Sequence, residues 1–345
     1  MSELKVLLLA DDRPGHYHLS QGVVAALKRL ADVETTELRI SRRRLIPTRS
    51  LRWLNSRGTA PERVLQMGYG VDVAALPRAD LVISAGGETL PANVAAARVL
   101  GAENIFCGSL RTVAPEDVSL TVTSYQRFAE KPGHLVALKP SSIDPEVLGR
   151  PKAIPRYDAA NSPKLAGLLI GGDSGLFHYR EEEWRRLLDF AQQLSGKWGT
   201  RWLVSTSRRT AEPIAEEVFA LAKDKDVVAD FLDYRWAGPG TLPKIFGRAE
   251  VIVCSEDSST MISEAIAARL PVIGVSPEKH SFKAEEAEYR EFLSNQNWCR
   301  YLPIVSLDPD AFGEALSEIA PMRENHLDQL AAALKERLPK LFKRR

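Results

Sequence analysis

Cysteine is scarce. Three residues, Cys107, Cys254 and Cys299, are spread over a chain of 345. Their odd number and wide spacing exclude a disulfide framework and a cysteine-based zinc cluster. An excess of either charge is lacking too: 46 Lys and Arg stand against 45 Asp and Glu, for a net charge of +1. A broad nucleic-acid surface needs a basic excess, so nucleic acid is set aside as a partner. No apolar run approaches the ~18 residues of a membrane-spanning helix. The stretch Met1–Ala10 holds a short apolar run that meets Asp11 and Asp12, too brief for a signal-peptide core. The expectation is a soluble, cytoplasmic protein. Two phosphate-binding signatures are also missing. Without Gly-x-Gly-x-x-Gly a dinucleotide dehydrogenase is disfavoured, and without a Walker A sequence so is a P-loop ATPase.

What is present is ordinary globular composition, with 44% hydrophobic and 26% charged residues. At roughly 150 residues per domain the length suggests two domains. The patterning agrees. Lys5–Leu9 is a short buried-strand run, followed by a polar turn and an amphipathic stretch, Gln21–Ala31. Ala79–Ser84 leads through Gly86-Gly87 into the alanine-rich Pro91–Leu100, and further strands are expected at Asn104–Cys107 and Val118–Thr123. The same grammar restarts at Lys164–Ile170 and runs through alternating strands and helices to Val272–Val275, which is expected to close the second sheet. The proline-rich Ile143–Ser162 reads as a linker. The expected fold class is α/β, with two Rossmann-like α/β/α domains facing across a cleft. Residues 1–150 form the N-terminal domain, 151–325 the C-terminal domain, and 326–345 a basic amphipathic tail.

Ligands of open parallel sheets sit beyond the carboxyl ends of strands, so the strand-end loops hold the candidate residues. After Cys254 comes a polar elbow, Ser255-Glu256-Asp257-Ser258-Ser259, with Asp257 or Ser258 as helix N-cap. The helix amides with the Ser258 and Ser259 hydroxyls suit a phosphate, and Glu264 suits two ribose hydroxyls. The plain alternative is helix caps and a solvated carboxylate. Arg208 and Arg209 follow the strand Arg201–Ser205 and offer fork donors to a diphosphate. Gly171-Gly172 follow another strand and permit close backbone approach to a phosphate or sugar, or simply a tight turn.

In the first half, His16 in the loop Asp11–His16 is the candidate general base. Asp11 or Asp12 orients it, or acts in its place. Gly15, Gly86 and Gly87 line the same acceptor side. The spacings Asp224–Asp226 and Asp308–Asp310 lie in hydrophilic turns rather than at buried strand ends, so they are not assigned to a metal. Arg39, Arg42, Arg43, Arg44, Arg49, Arg52 and Arg57 fall in one stretch interleaved with Leu45, Ile46, Leu51, Trp53 and Leu54. Such a mixture suits an anionic membrane surface, an anionic acceptor or a solvated loop.

The strand, the Ser/Asp elbow, Thr260-Met261-Ile262-Ser263-Glu264-Ala265 and the following Pro271-Val272 resemble the donor-nucleotide site of GT-B glycosyltransferases. With Asp12-Arg13-Pro14-Gly15-His16, Gln21-Gly22, Gly171-Gly172 and Ser205-Thr206-Ser207-Arg208-Arg209-Thr210, the chain resembles the family named for plant mitochondrial-fission "elongated mitochondria" proteins. The resemblance spans about residues 5 to 315. Bacterial members of that family are described as candidate glycosyltransferases. It implies a metal-independent transfer of a sugar from a nucleotide-sugar co-substrate to an acceptor hydroxyl, with no further cofactor. The acceptor class it points to is a lipid or cell-envelope glycan, at the inner membrane face. Gly171, Gly172, Ser205, Ser207, Arg208, Arg209, Ser258, Ser259, Met261 and Glu264 would hold the donor, with His16 or Asp12 as base. Two alternatives stay open: a non-catalytic interaction protein on the same scaffold, and a nucleotide-sugar epimerase.

Overall fold

The computed structural model describes residues 3–57 and 59–343. Backbone contacts divide the chain into two units. One runs through Ser142 and takes in the chain again from His326; the other is Ile143–Asn325.

The first unit begins with β1 (Leu4–Ala10), α1 (Pro14–Leu27), β2 (Val33–Arg39), α2 (Thr48–Ser56) and α3 (Pro61–Tyr69). It continues with β3 (Leu81–Ala85), α4 (Leu90–Leu100), β4 (Glu103–Cys107), β5 (Leu120–Thr123) and β6 (His134–Val136). The strands form one parallel sheet in the order β2-β1-β3-β4-β5-β6. Central strands such as β1 and β3 are apolar on both faces because both faces are covered. The strand β2, reading VETTELR, lies at the edge and is largely exposed, so it carries no apolar run for a sequence reading to find. Helix α1 starts earlier than the expected Gln21. Pro14 occupies its first turn, where a fixed φ and a missing amide cost nothing. His16, expected on a loop, therefore sits in the first turn of a helix.

The second unit runs through β7 (Leu165–Leu169), β8 (Phe177–His178), α5 (Glu181–Trp198), β9 (Arg201–Ser205) and α6 (Glu212–Leu221). Next come β10 (Val228–Leu232), α7 (Tyr234–Ala237), α8 (Leu242–Phe246), β11 (Val251–Ser255) and α9 (Ser259–Ala267). It ends with β12 (Val272–Ser276), β13 (Lys279–His280), α10 (Ala284–Asn295), β14 (Cys299–Pro303) and α11 (Pro309–Ser317). The main sheet is parallel, in the order β10-β9-β7-β11-β12-β14. It does not close at β12 as expected. Strand β14, with Arg300 and Tyr301 among its five residues, adds a further edge. The core joins Leu168, Trp202 and Val204 of the sheet to Trp184, Leu187 and Phe190 of α5. Trp202 Nε1 donates to the Ala191 carbonyl at 2.9 Å, so its polar atom is satisfied in the interior. All three cysteines are buried and unbridged, which makes them core residues.

The stretch read as a linker packs onto the second unit. Glu146 pairs with the buried Arg269 at 2.7 Å, Arg150 donates to the Ala249 carbonyl at 2.7 Å, and Tyr157 joins the core. Residues 143–150 thus fold with the second unit rather than the first. The last helix, α12 (His326–Arg337), lays Leu327, Leu330, Ala331 and Leu334 against Val23, Val24 and Leu27 of the first unit. That i, i+3, i+4, i+7 spacing is one helical face.

Each sheet has one switch point, where successive connections leave in opposite directions. Counted within its unit, the second sheet follows the Rossmann order 3-2-1-4-5-6, and the first begins as the flavodoxin order 2-1-3-4-5. The switch points lie between β1 and β3 and between β7 and β11.

Candidate functional site

At the β1–β3 switch point, His16 Nδ1 lies 2.7 Å from Asp11 Oδ2. An ionised Asp11 accepts this hydrogen bond, which places the proton on Nδ1 and leaves Nε2 as the basic nitrogen. Asp11 also accepts from the Arg13 amide at 3.1 Å, so the carboxylate is fixed from two sides. The imidazole lies against the loop after β3. A Cβ on Gly86 would sit 2.2 Å from Nδ1, and Gly86 adopts φ +89°, so only glycine fits there. Gly87 borders a cavity of about 220 Å³ lined by Arg13, His16, Thr48, Arg52, Glu88 and Arg111. Asp12, the alternative base, is exposed and lines a neighbouring hollow of about 150 Å³ with Arg42 and Tyr69. Its side chain makes no hydrogen bond or ion pair among the described residues, so the geometry gives Asp11 the orienting contact. Gly15 is exposed in the first turn of α1.

At the β7–β11 switch point the loops are tied to one another. The Ser255 hydroxyl accepts from the Gly171 amide at 2.7 Å. Ser207 and Thr210 donate to the Gly171 carbonyl at 3.0 and 2.6 Å. Asp257, whose side chain is fully buried, accepts from the Gly172 amide at 3.3 Å and from the Tyr179 hydroxyl at 3.2 Å. It also pairs with Arg209. Burial and the Asp257 charge hold the Tyr179 phenol well above its ordinary pKa, so it stays a donor. The two glycines are needed by the protein itself. A Cβ on Gly171 would lie 2.3 Å from both Asp257 carboxylate oxygens, and one on Gly172 would lie 2.0 Å from the Arg209 carbonyl oxygen. The close approach read from sequence as room for a ligand is occupied here by Asp257 and by the Arg209 backbone.

The other expected donor residues fall around this knot. Ser258 caps α9, accepting from the Met261 amide at 3.4 Å, and Ser259 opens the helix. Met261 is half-buried and Glu264 is buried in the next turn. Ser205 is buried at the end of β9, 3.3 Å from the Thr241 hydroxyl. Arg208 is exposed and makes no ion pair among the described residues, whereas Arg209 is engaged. Ser207 braces the loop rather than projecting from it. The two Asp-x-Asp spacings make local turns: Asp224 accepts from the Asp226 amide, and Asp308 caps α11.

Sequence reasoning missed Arg111, Tyr179 and Arg290. No local pattern marks them; each reaches its site through tertiary packing. Arg290 sits 4.1 Å over the Phe282 ring and donates to the Glu256 carbonyl at 2.7 Å. Burial lifts the Glu256 carboxyl to about 7, against the attraction of Arg290.

Residues 14–338 match the family described as mitochondrial fission ELM1. The chain belongs to that family. No curated protein sequence matches this ELM1-family chain. It is similar to solved structures at low identity. Acinetobacter baumannii MurG is 13% identical over 98% of this chain and 99% of its own, with a TM-score of 0.50. S. aureus MnaA, solved with UDP, is 11% identical over 99% and 98%, with a TM-score of 0.54. The UDP-GlcNAc 2-epimerase of Methanocaldococcus jannaschii is 12% identical over 97% and 100%, also at 0.54. These likenesses are of fold: the ELM1-family chain has the GT-B fold.

Two predictions follow from this geometry. Gly86→Ala should cost about 1–3 kcal/mol of stability and displace His16. Gly87→Ala, whose Cβ would meet nothing nearer than 3.6 Å, should be tolerated. Urea unfolding of both variants checks this, and equal behaviour would refute the close-approach argument. The second concerns Glu256. Its folded carboxyl stands at about 7 against an ordinary 4.5, so the folded state holds the proton more tightly. That contribution is full below about 4.5 and is lost as the pH rises through about 7. Relative to Glu256→Gln, the native chain should lose up to about 3 kcal/mol across that window. A stability difference that does not vary with pH would show the carboxyl to be unshifted.

Proposed function

We propose that the chain is a glycosyltransferase that takes its sugar from a nucleotide-sugar. The observation that carries this reading is the His16–Asp11 pair at 2.7 Å, with the imidazole bordering a cavity at a switch point. Family membership and the GT-B fold support it. His16 Nε2 takes the proton of an acceptor hydroxyl. The freed oxygen bonds to the anomeric carbon of the donor as the bond from that carbon to the diphosphate breaks. The nucleoside diphosphate leaves with the electron pair. On the second unit, Arg208 and the α9 N-terminus meet the charge that develops on the diphosphate, where such groups matter most. Glu264 takes the ribose.

One observation favours a second reading, a non-catalytic interaction protein on this scaffold. The Asp257 carboxylate already occupies the anion position beside Arg209 and above Gly171. A donor diphosphate has to displace it or bind beside it, through Arg208.

Among the described residues no helix is long and apolar enough to cross a membrane. The arginine stretch spans the end of β2, a loop and α2. Leu45 is 95% exposed and Trp53 55%, whereas Leu51 is buried and Arg42 is tied to the Ile46 carbonyl and to Glu88. Leu45 and Trp53, with Arg44 and Arg49 exposed beside them, form the part suited to an anionic membrane.

Thermal-shift measurements with UDP-, GDP-, ADP-, TDP- and CMP-sugars test the transferase. One donor class should stabilise the chain, and Arg208→Ala should weaken it by about tenfold. Absence of any shift would sink the transferase and leave the interaction reading standing. For the membrane face, sedimentation with anionic vesicles should fall when Leu45 and Trp53 are replaced by Ser. Sedimentation that is absent, or unaffected by the replacement, would remove it.

A further inference from the structure

The cavity beside His16 has an unusual wall. Three arginines line it from different parts of the first unit: Arg13 from the turn after β1, Arg52 from α2, and Arg111 from the loop after β4. Among the described residues only one carboxylate, Glu88, lines the same space, and it pairs with Arg42 at 3.4 Å. Among the described residues the guanidinium groups of Arg13 and Arg111 have no hydrogen bond or ion pair. Arg52 reaches only the Thr112 hydroxyl at 3.3 Å, and its buried Nε has no partner. Protein surfaces normally scatter or pair such charges, because gathering like charges costs energy.

The gathering is maintained against that cost. Arg111 adopts φ +55°, a left-handed backbone that non-glycine residues rarely take. In this conformation its guanidinium lies over Gly87, 3.6 Å from where a Cβ would be. Burial and the charge of Arg111 both push the Arg52 guanidinium below its ordinary pKa. Strain and repulsion held at one place are features of ligand sites. Gly87 and Glu88 lead into α4, whose N-terminal end contributes further positive potential. The cavity, at about 220 Å³, is smaller than the roughly 300 Å³ or more of a whole small-molecule pocket, so it fits an anionic group of a larger ligand.

We propose that this cavity binds a phosphate group of the acceptor, held by Arg13, Arg52 and Arg111 beside His16. Three forked donors around one space match the several oxygens of a phosphate or diphosphate. The bound phosphate fixes the acceptor so that its hydroxyl reaches Nε2. The assignment to an acceptor rests on the transferase reading; the binding of phosphate does not.

Calorimetry with inorganic pyrophosphate on the full chain tests the site. Wild-type protein should bind, and affinity should fall by about tenfold or more in Arg111→Gln and in Arg52→Gln, because each removes a fork. Arg111 is exposed on a loop, so its replacement leaves the core intact. Affinity should also fall with added salt. No binding to wild type, or binding that neither substitution weakens, overturns the proposal. Vesicles of phosphatidylcholine with and without phosphatidic acid then separate the sources. Retention on phosphatidic acid that depends on Arg111 supports a lipid-borne phosphate; pyrophosphate binding without such retention supports a soluble one. The donor thermal shift, repeated on Arg111→Gln, reports the transferase reading separately. Pyrophosphate bound at Arg111 with no donor shift in any variant keeps the site and removes the transferase.

Discussion

In each unit the first strand of the sheet lies inside it, β1 between β2 and β3 and β7 between β9 and β11. Parallel pairing forces every connection to cross over the sheet, and here the crossovers part on either side of that first strand. The loops leaving its two flanks therefore splay apart and leave backbone groups without a neighbouring strand. The two glycine contacts that fix the candidate sites stand at those two places. His16 and Gly86 meet at one; Gly171, Asp257 and Arg209 meet at the other.

The two places have been finished differently. On the second unit the gap is filled by the protein's own anion. Asp257 takes hydrogen bonds from Gly172 and Tyr179 and a charge from Arg209, so a carboxylate removed from water is fully compensated. On the first unit the gap stays open, lined by three arginines and by a single carboxylate, Glu88, that pairs with Arg42. One switch point is thus internally neutralised, while the other holds unspent attraction for an anion.

The fold was legible because its central strands are buried on both faces. Runs such as Leu81–Ala85 and Val251–Ser255 stand out in the sequence for that reason. Two edge strands escaped: β2, reading VETTELR, shows no apolar run, and β14 carries Arg300. Gly171 and Ser258 could be placed from sequence because each lies a few residues past a buried strand, whereas His16 lies in the first turn of α1. The state of the candidate residues was not legible. Nothing in Arg208-Arg209 tells which guanidinium is tied down, because the tie comes from Asp257, 48 residues on. Arg52 was noted only as part of the arginine stretch, and Arg111 was beyond reach: it is one arginine among many until the loop after β4 brings it beside Arg52.

The return of α12 to the first unit has a consequence for how the protein is made. Val23, Val24 and Leu27 lie on the α1 face that α12 covers. A ribosome delivers α1 before the whole of Ile143–Asn325 and α12 after it. During synthesis the second unit is complete while the first still shows an uncovered apolar face. Such a face is where a nascent chain meets chaperones or aggregates. The first unit is begun before the second and gains its α12 cover only after it.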